Sequence, residues 1–156
     1  MFVITRSDEI GGAHVHVRDL ALWLTAHGYR VSIIVGGCGF YLDHLRDYGL
    51  AVYSCAAMVR NISPLRDLLA LVQLHRLIRS LDPDLISLHS AKAGLLGRVL
   101  CSLGLTPPCL FTAHGWSFTD GVSPILGRAY LALERWAASC CGRIITVCQT
   151  DFRLAI

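Results

Sequence analysis

The sequence predicts an α/β fold, a doubly wound parallel sheet with helices on both faces. Three observations carry this. Strand-like apolar runs alternate with segments of helical spacing along the chain. The strand-like runs are continuously apolar, as strands buried on both faces are. The turns between them are short and punctuated by glycine and proline. Right-handed crossovers then fix most of the topology.

The first strand is expected over residues 1–5, with Phe2, Val3 and Ile4 inside. It begins at the first residue, so it is expected to be clipped at its front. Gly11-Gly12 marks a turn. Ala13, Val17, Leu20, Ala21 and Leu24 then recur at helical spacing, and Gly28 closes that helix. Residues 31–35 form a β-branched second strand, ended by Gly36-Gly37-Cys38-Gly39. A weaker helix covers 40–47, and a third strand covers 50–55. Ser63-Pro64 opens a helix that places Leu65, Leu68, Leu69, Val72 and Leu77 on one side. It ends by Asp82-Pro83. Residues 85–88 make a fourth strand, and 91–103 a helix closed by Gly104. Pro107-Pro108 leads into a fifth strand at 110–112. Pro124 opens a helix that runs through Cys141, residues 144–147 form a sixth strand, and 150–156 start another helix. There is no internal repeat and no low-complexity linker, so residues 1–156 read as one domain.

Composition narrows the class. A chain of 156 residues buries a proper core. Hydrophobic residues make up 54% and charged residues 16%, which excludes intrinsic disorder and a coiled coil. The net charge of +3 is too small to argue for nucleic acid. Arginines at 18, 30, 46, 60, 66, 76, 79 and 98 keep every apolar run below the roughly 18 residues of a membrane span. The apolar N-terminus precedes Arg6 rather than following a positive charge, so it does not read as a secretory signal. Seven cysteines without a C-x-x-C pair indicate neither a disulfide framework nor a zinc ribbon. Cys55, Cys101, Cys109 and Cys148 lie among apolar residues and read as small core side chains. A reducing, cytoplasmic setting is expected.

In such a sheet, ligands bind beyond the carboxyl ends of the strands. That rule selects residues 6–16, 36–40, 89–92 and 114–120. Three of these segments contain histidine, and they include Lys92, the one lysine of the chain. Gly11-Gly12 lets backbone N–H groups approach a phosphate or sugar, helped by the positive end of the following helix. A plain turn also favours glycine. The glycines do not form G-x-G-x-x-G, and Gly36 stands where a ribose-binding acid would follow the second strand, so a dinucleotide dehydrogenase fits poorly. His14 and His16 diverge on a helix and are not expected to share a metal. Ser90 reads as a helix N-cap, and equally, with His89 and Lys92, as a partner for an acceptor hydroxyl or phosphate. His114-Gly115-Trp116-Ser117-Phe118 ends a strand with a histidine, a glycine and aromatic groups. It suits carbohydrate or a packed partner domain, or else His114 is a core histidine. The acids near the cleft, Asp8, Glu9 and Asp120, are too few to argue for paired-carboxylate hydrolysis.

Taken in order, four segments resemble the N-terminal domain of family 4 glycosyltransferases. They are Gly11-Gly12-Ala13-His14-Val15-His16-Val17, residues 85–90 with Lys92-Ala93-Gly94, Phe111-Thr112-Ala113-His114-Gly115, and Arg143-Ile144-Ile145-Thr146-Val147. These are GT-B enzymes with two Rossmann-like domains facing across a cleft. The resemblance implies transfer of a sugar from a nucleotide-sugar with retention of configuration, without a metal or other cofactor. It implies that Gly11, Gly12 and Gly115 approach the donor phosphate and sugar, and that His114 contacts the donor sugar at the reaction centre. His16 is then on the acceptor side, and residues 36–40 with His89, Ser90 and Lys92 lie along the acceptor groove. The pattern is similar to bacterial enzymes that build lipid-linked oligosaccharides, lipopolysaccharide or exopolysaccharide. Their acceptors imply a peripheral place on the inner membrane face, where Arg66, Arg76 and Arg79 meet anionic headgroups or else form a solvated helix face.

Two departures from the family stand out. Cys148-Gln149 replaces the usual Ser-Glu. The second domain, which holds the nucleotide and neutralises the leaving diphosphate, has no counterpart in these residues. The expectation is that this acceptor-side domain alone transfers no sugar and needs a second domain or partner chain. A non-catalytic sugar- or lipid-binding module and half of a sugar-nucleotide epimerase are the competing readings.

Overall fold

A computed structural model describes residues 1–119 and 121–155, which leaves Asp120 outside the described residues. In chain order the elements are β1 (Phe2–Ile4), α1 (Gly12–Ala26), β2 (Ser32–Gly36), α2 (Tyr41–Asp47), β3 (Ala51–Cys55) and α3 (Pro64–Leu81). They continue with β4 (Ile86–His89), α4 (Ala91–Ser102), β5 (Cys109–Ala113), α5 (Pro124–Ala138), β6 (Arg143–Thr146) and α6 (Gln149–Ala155). The strands form one parallel sheet in the order β3-β2-β1-β4-β5-β6. Ile4 at the end of β1 stands between Val35 of β2 and His89 of β4. The winding direction reverses between β1 and β4, and a crevice opens above that point.

Both faces of the central strands are covered. Phe2, Ile4, Ile33 and Val35 pack against Val17 and Ala21 of α1 and Tyr41, Leu42 and Leu45 of α2. Val3, Ile34, Leu88 and Phe111 point the other way, onto α3 and α4. This is why β2 reads as an unbroken apolar run: Ile33, Ile34 and Val35 are all fully buried. Helix α4 presses close to the sheet. A Cβ on Gly94 would stand 2.4 Å from the Phe111 ring, and one on Gly97 would stand 2.3 Å from a Leu88 methyl. Among the described residues, no helix is long and apolar enough to cross a membrane.

Two sequence expectations need correction. Helix α3 buries Ala70, Leu74 and Ile78, not the side bearing Leu65, Leu68, Leu69 and Val72. Those four are 72%, 59%, 54% and 43% exposed. The helix carries two apolar stripes, and the one with a small residue fits closest to the sheet. Cys148 is also exposed rather than a core residue. It follows β6, the edge strand, and its thiol meets the Asp151 carboxylate at 3.2 Å.

Candidate functional site at the β1–β4 crevice

The loops after β1, β4 and β5 enclose a cavity of about 400 Å³. Its lining includes Arg6, Gly11, Gly12, His14, Ser90, His114 and Gly115. The start of α1 forms one wall. A Cβ on Gly12 would meet no protein atom within 4 Å, so packing does not require glycine there. The missing side chain leaves the positive end of a 15-residue helix open to the cavity. His14 holds this corner. Its Nδ1 accepts from the Gly11 N–H at 3.2 Å, so its Nε2–H donates to the Arg6 carbonyl at 2.9 Å. Its ring packs edge-on against Tyr41.

On the opposite side, His89 Nδ1 and His114 Nε2 share a hydrogen bond of 3.0 Å. His89 Nε2 pairs with Ser87 Oγ at 2.9 Å. Burial, then the neighbouring His114 and His16, pushes the His89 pKa down to about 3. Burial, then the neighbouring His16 and His14, lower that of His114, with Asp151 opposing. Both rings are therefore uncharged at neutral pH. His114 Nδ1 remains for a ligand in the cavity, and Gly115 follows with a φ of +125° that favours glycine. His16 and His89 line neither cavity of the crevice. Their rings stand 5.6 Å apart, and His16 lies 5.2 Å edge-on from His114.

Ser90 does not cap α4 with its side chain. Its hydroxyl lies 2.7 Å from Thr5 Oγ1 and accepts from the Thr5 N–H at 3.1 Å. Thr5 Oγ1 in turn accepts from the Ala93 N–H at 2.9 Å, so the residue just past β1 supplies the cap. This arrangement holds Ser90 at a φ of +71°, a conformation unfavourable for serine.

A second groove of about 540 Å³ adjoins the first and shares Arg6, Ser90 and Ala91 with it. Arg60, Ile62, Lys92, Leu96, Tyr130 and Glu134 are among its walls. Lys92 pairs with Asp67 at 2.7 Å and donates to the Asn61 carbonyl, so its charge is already engaged. Arg98 is fully buried beneath this groove. It pairs with Glu134 at 2.7 Å, and its guanidinium lies 4.2 Å from the Phe111 ring centre.

Two further expectations change. Residues 36–40 line neither cavity. A Cβ on Gly36 would stand 2.1 Å from the Thr5 carbonyl, and one on Gly39 would stand 2.3 Å from that of Ser7. These glycines instead let the two loops touch. Trp116 faces the interior, stacked on Phe118, and its Nε1–H donates to the Asp151 carbonyl at 2.9 Å. That bond satisfies the polar edge of the ring. Arg6, the first residue of the selected segment 6–16, was given no role from the sequence, yet it borders both cavities. Its signal was its place as the first residue past the loop threonine at the switch point. Its guanidinium pairs with Glu9.

Residues 11–156 match the glycosyl transferase 4-like domain. The chain belongs to this family. This glycosyl transferase 4-like domain is the N-terminal, Rossmann-like half of a GT-B architecture. It superposes on Acinetobacter baumannii MurG with a TM-score of 0.66 at 17% identity, covering 93% of this chain and 40% of that one. Anabaena HepE, solved with UDP and glucose, matches with a TM-score of 0.63 at 18% identity, covering 92% of this chain and 37% of that one. A curated Escherichia coli relative is a UDP-Gal:alpha-D-GlcNAc-diphosphoundecaprenol alpha-1,3-galactosyltransferase. It is 29% identical over 128 residues, which are 82% of this chain and 33% of the relative. The glycosyl transferase 4-like domain thus spans about a third of that relative's length.

Proposed function

We propose that this domain is the acceptor-side half of a retaining glycosyltransferase, which moves a sugar from a nucleotide-sugar to a glycan or lipid-linked acceptor. The observation that carries this reading is the junction of two cavities at Arg6 and Ser90. The first takes the donor's sugar and phosphate at the start of α1, where Gly11 and Gly12 leave room and Gly115 clears the opposite wall. His114 Nδ1 meets a sugar hydroxyl. His89 acts through His114, holding its ring in place. The second groove takes the acceptor, with Arg60 suited to a phosphate and Ile62, Leu96 and Tyr130 to apolar groups.

The acceptor hydroxyl oxygen bonds to the anomeric carbon while the bond from that carbon to the diphosphate breaks on the same face. The hydroxyl proton leaves on a diphosphate oxygen. The step uses no metal, and the nucleotide-sugar is a co-substrate. A second domain or a partner chain holds the nucleotide, and the domain alone transfers no sugar. A lipid-linked acceptor places the domain at the cytoplasmic face of a membrane, with the exposed leucines and arginines of α3 against anionic headgroups.

The test incubates the complete protein carrying this domain with a series of nucleotide-sugars, UDP-galactose first. The acceptor is a GlcNAc-diphospho-polyprenol. Mass spectrometry should show one added hexose, and NMR an anomeric configuration unchanged from the donor. An inverted linkage, or no transfer from any donor to this or a lipid-free glycan acceptor, would overturn the proposal.

A further inference from the structure

We propose that His16, His89 and His114 form a binding site for one divalent first-row transition ion of zinc type. The three rings come from α1, the end of β4 and the loop after β5. One nitrogen from each lies within 4.8 Å of the other two. His89 Nδ1 and His114 Nε2 are already 3.0 Å apart. Zinc–imidazole bonds of about 2.0–2.1 Å in a tetrahedron put ligand nitrogens about 3.3 Å apart. Small side-chain rotations therefore reach a three-histidine site, with a fourth position left for water.

A second observation supports the ion. With the metal on His89 Nδ1, the opposite nitrogen carries its proton and donates to Ser87 Oγ, 2.9 Å away. Metal-bound histidines are oriented through such a bond. An all-imidazole donor set favours zinc, nickel, copper or cobalt over magnesium or calcium. His14 takes no part, because both its nitrogens are engaged with Gly11 and Arg6. The site requires nothing of the transferase reading.

Without an ion, the same rings are a shared hydrogen bond with a third ring packed edge-on. Titration of the EDTA-stripped, tag-free protein with Zn²⁺ and with Co²⁺ separates the two. The expected result is one ion per chain, with tetrahedral cobalt bands and no thiolate charge-transfer band. His16→Asn and His114→Asn should each weaken binding at least 10-fold, and His27→Asn should not. Ser87→Ala should weaken it about 10-fold without abolishing it. Circular dichroism checks that each variant folds. No stoichiometric binding would overturn the site. So would affinity unchanged in both His16→Asn and His114→Asn, or a thiolate band, which would move the ion to the exposed Cys38 or Cys148.

Discussion

The hydroxyls of Thr5 and Ser90 lie 2.7 Å apart and tie the end of β1 to the start of α4. Thr5 also accepts the Ala93 N–H, which is buried with it. Thr5→Val keeps the shape and leaves that donor without an acceptor, at a cost of about 1–3 kcal/mol. Thr5→Ser should cost much less. Ser90 separates two effects. Ser90→Ala and Ser90→Gly both lose the hydroxyl, but only glycine relaxes the φ of +71°. Urea unfolding should find Ser90→Gly the more stable by about 1 kcal/mol. Equal stabilities would show that the backbone there is unstrained.

Arg98 and Glu134 form an ion pair with 0% and 10% side-chain exposure. Glu134→Leu strands a buried guanidinium and should cost about 3–5 kcal/mol. Arg98→Met in the same chain removes the stranded charge and should recover most of that loss, since Met packs well against Phe111. A denaturant double-mutant cycle measures the coupling. Additive losses would mean that the pair is solvated in solution.

His89 makes stability depend on pH. Its pKa falls from an ordinary 6.5 to about 3 in the folded state. The unfolded chain therefore binds a proton that the folded chain refuses between those values. The contribution is complete above about pH 6.5 and is lost as pH falls, by at most about 1.4 kcal/mol per pH unit for this one group. The measurement is the His89 ring by nitrogen-15 NMR with EDTA present, so that the imidazoles carry no ion. The ring should stay neutral to below pH 5. A midpoint near 6 would remove the effect.

Much of this was legible because the sheet is buried on both faces. Unbroken runs such as Ile33-Ile34-Val35 gave the strands. The carboxyl-end rule picked four loops, of which residues 36–40 line neither cavity, while the observed strand order sets β1, β4 and β5 side by side. That ordering brought Gly11, Gly12, Ser90, His114 and Gly115 around one cavity. What failed depended on choices between equivalent patterns. Helix α3 has two apolar stripes, and only tertiary fit decides between them. Helical spacing separates His14 from His16 but does not tell which one meets His89 and His114. Nothing in a serine announces a left-handed φ. The partner that drew Trp116 inward, Asp151, lies 35 residues away.

The outer stripe of α3 gives the last prediction. Leu65, Leu68, Leu69 and Val72 are exposed together, and Arg66, Arg76 and Arg79 stand on the same helix. Apolar side chains among cations suit an anionic lipid surface, where each arginine near the surface adds about 1 kcal/mol of attraction. Asp67 and Ile62, at the start of this helix, line the second groove. A lipid-linked acceptor would therefore reach the groove directly from that surface. Cosedimentation with phosphatidylglycerol vesicles should show binding that weakens with salt. Leu65→Ser with Leu69→Ser should reduce it about tenfold or more, because each exposed leucine contributes on the order of 1.5–3 kcal/mol when fully buried. The thermal midpoint should hardly change, since neither side chain packs in the core. Vesicle binding unaffected by this pair would place the membrane contact elsewhere.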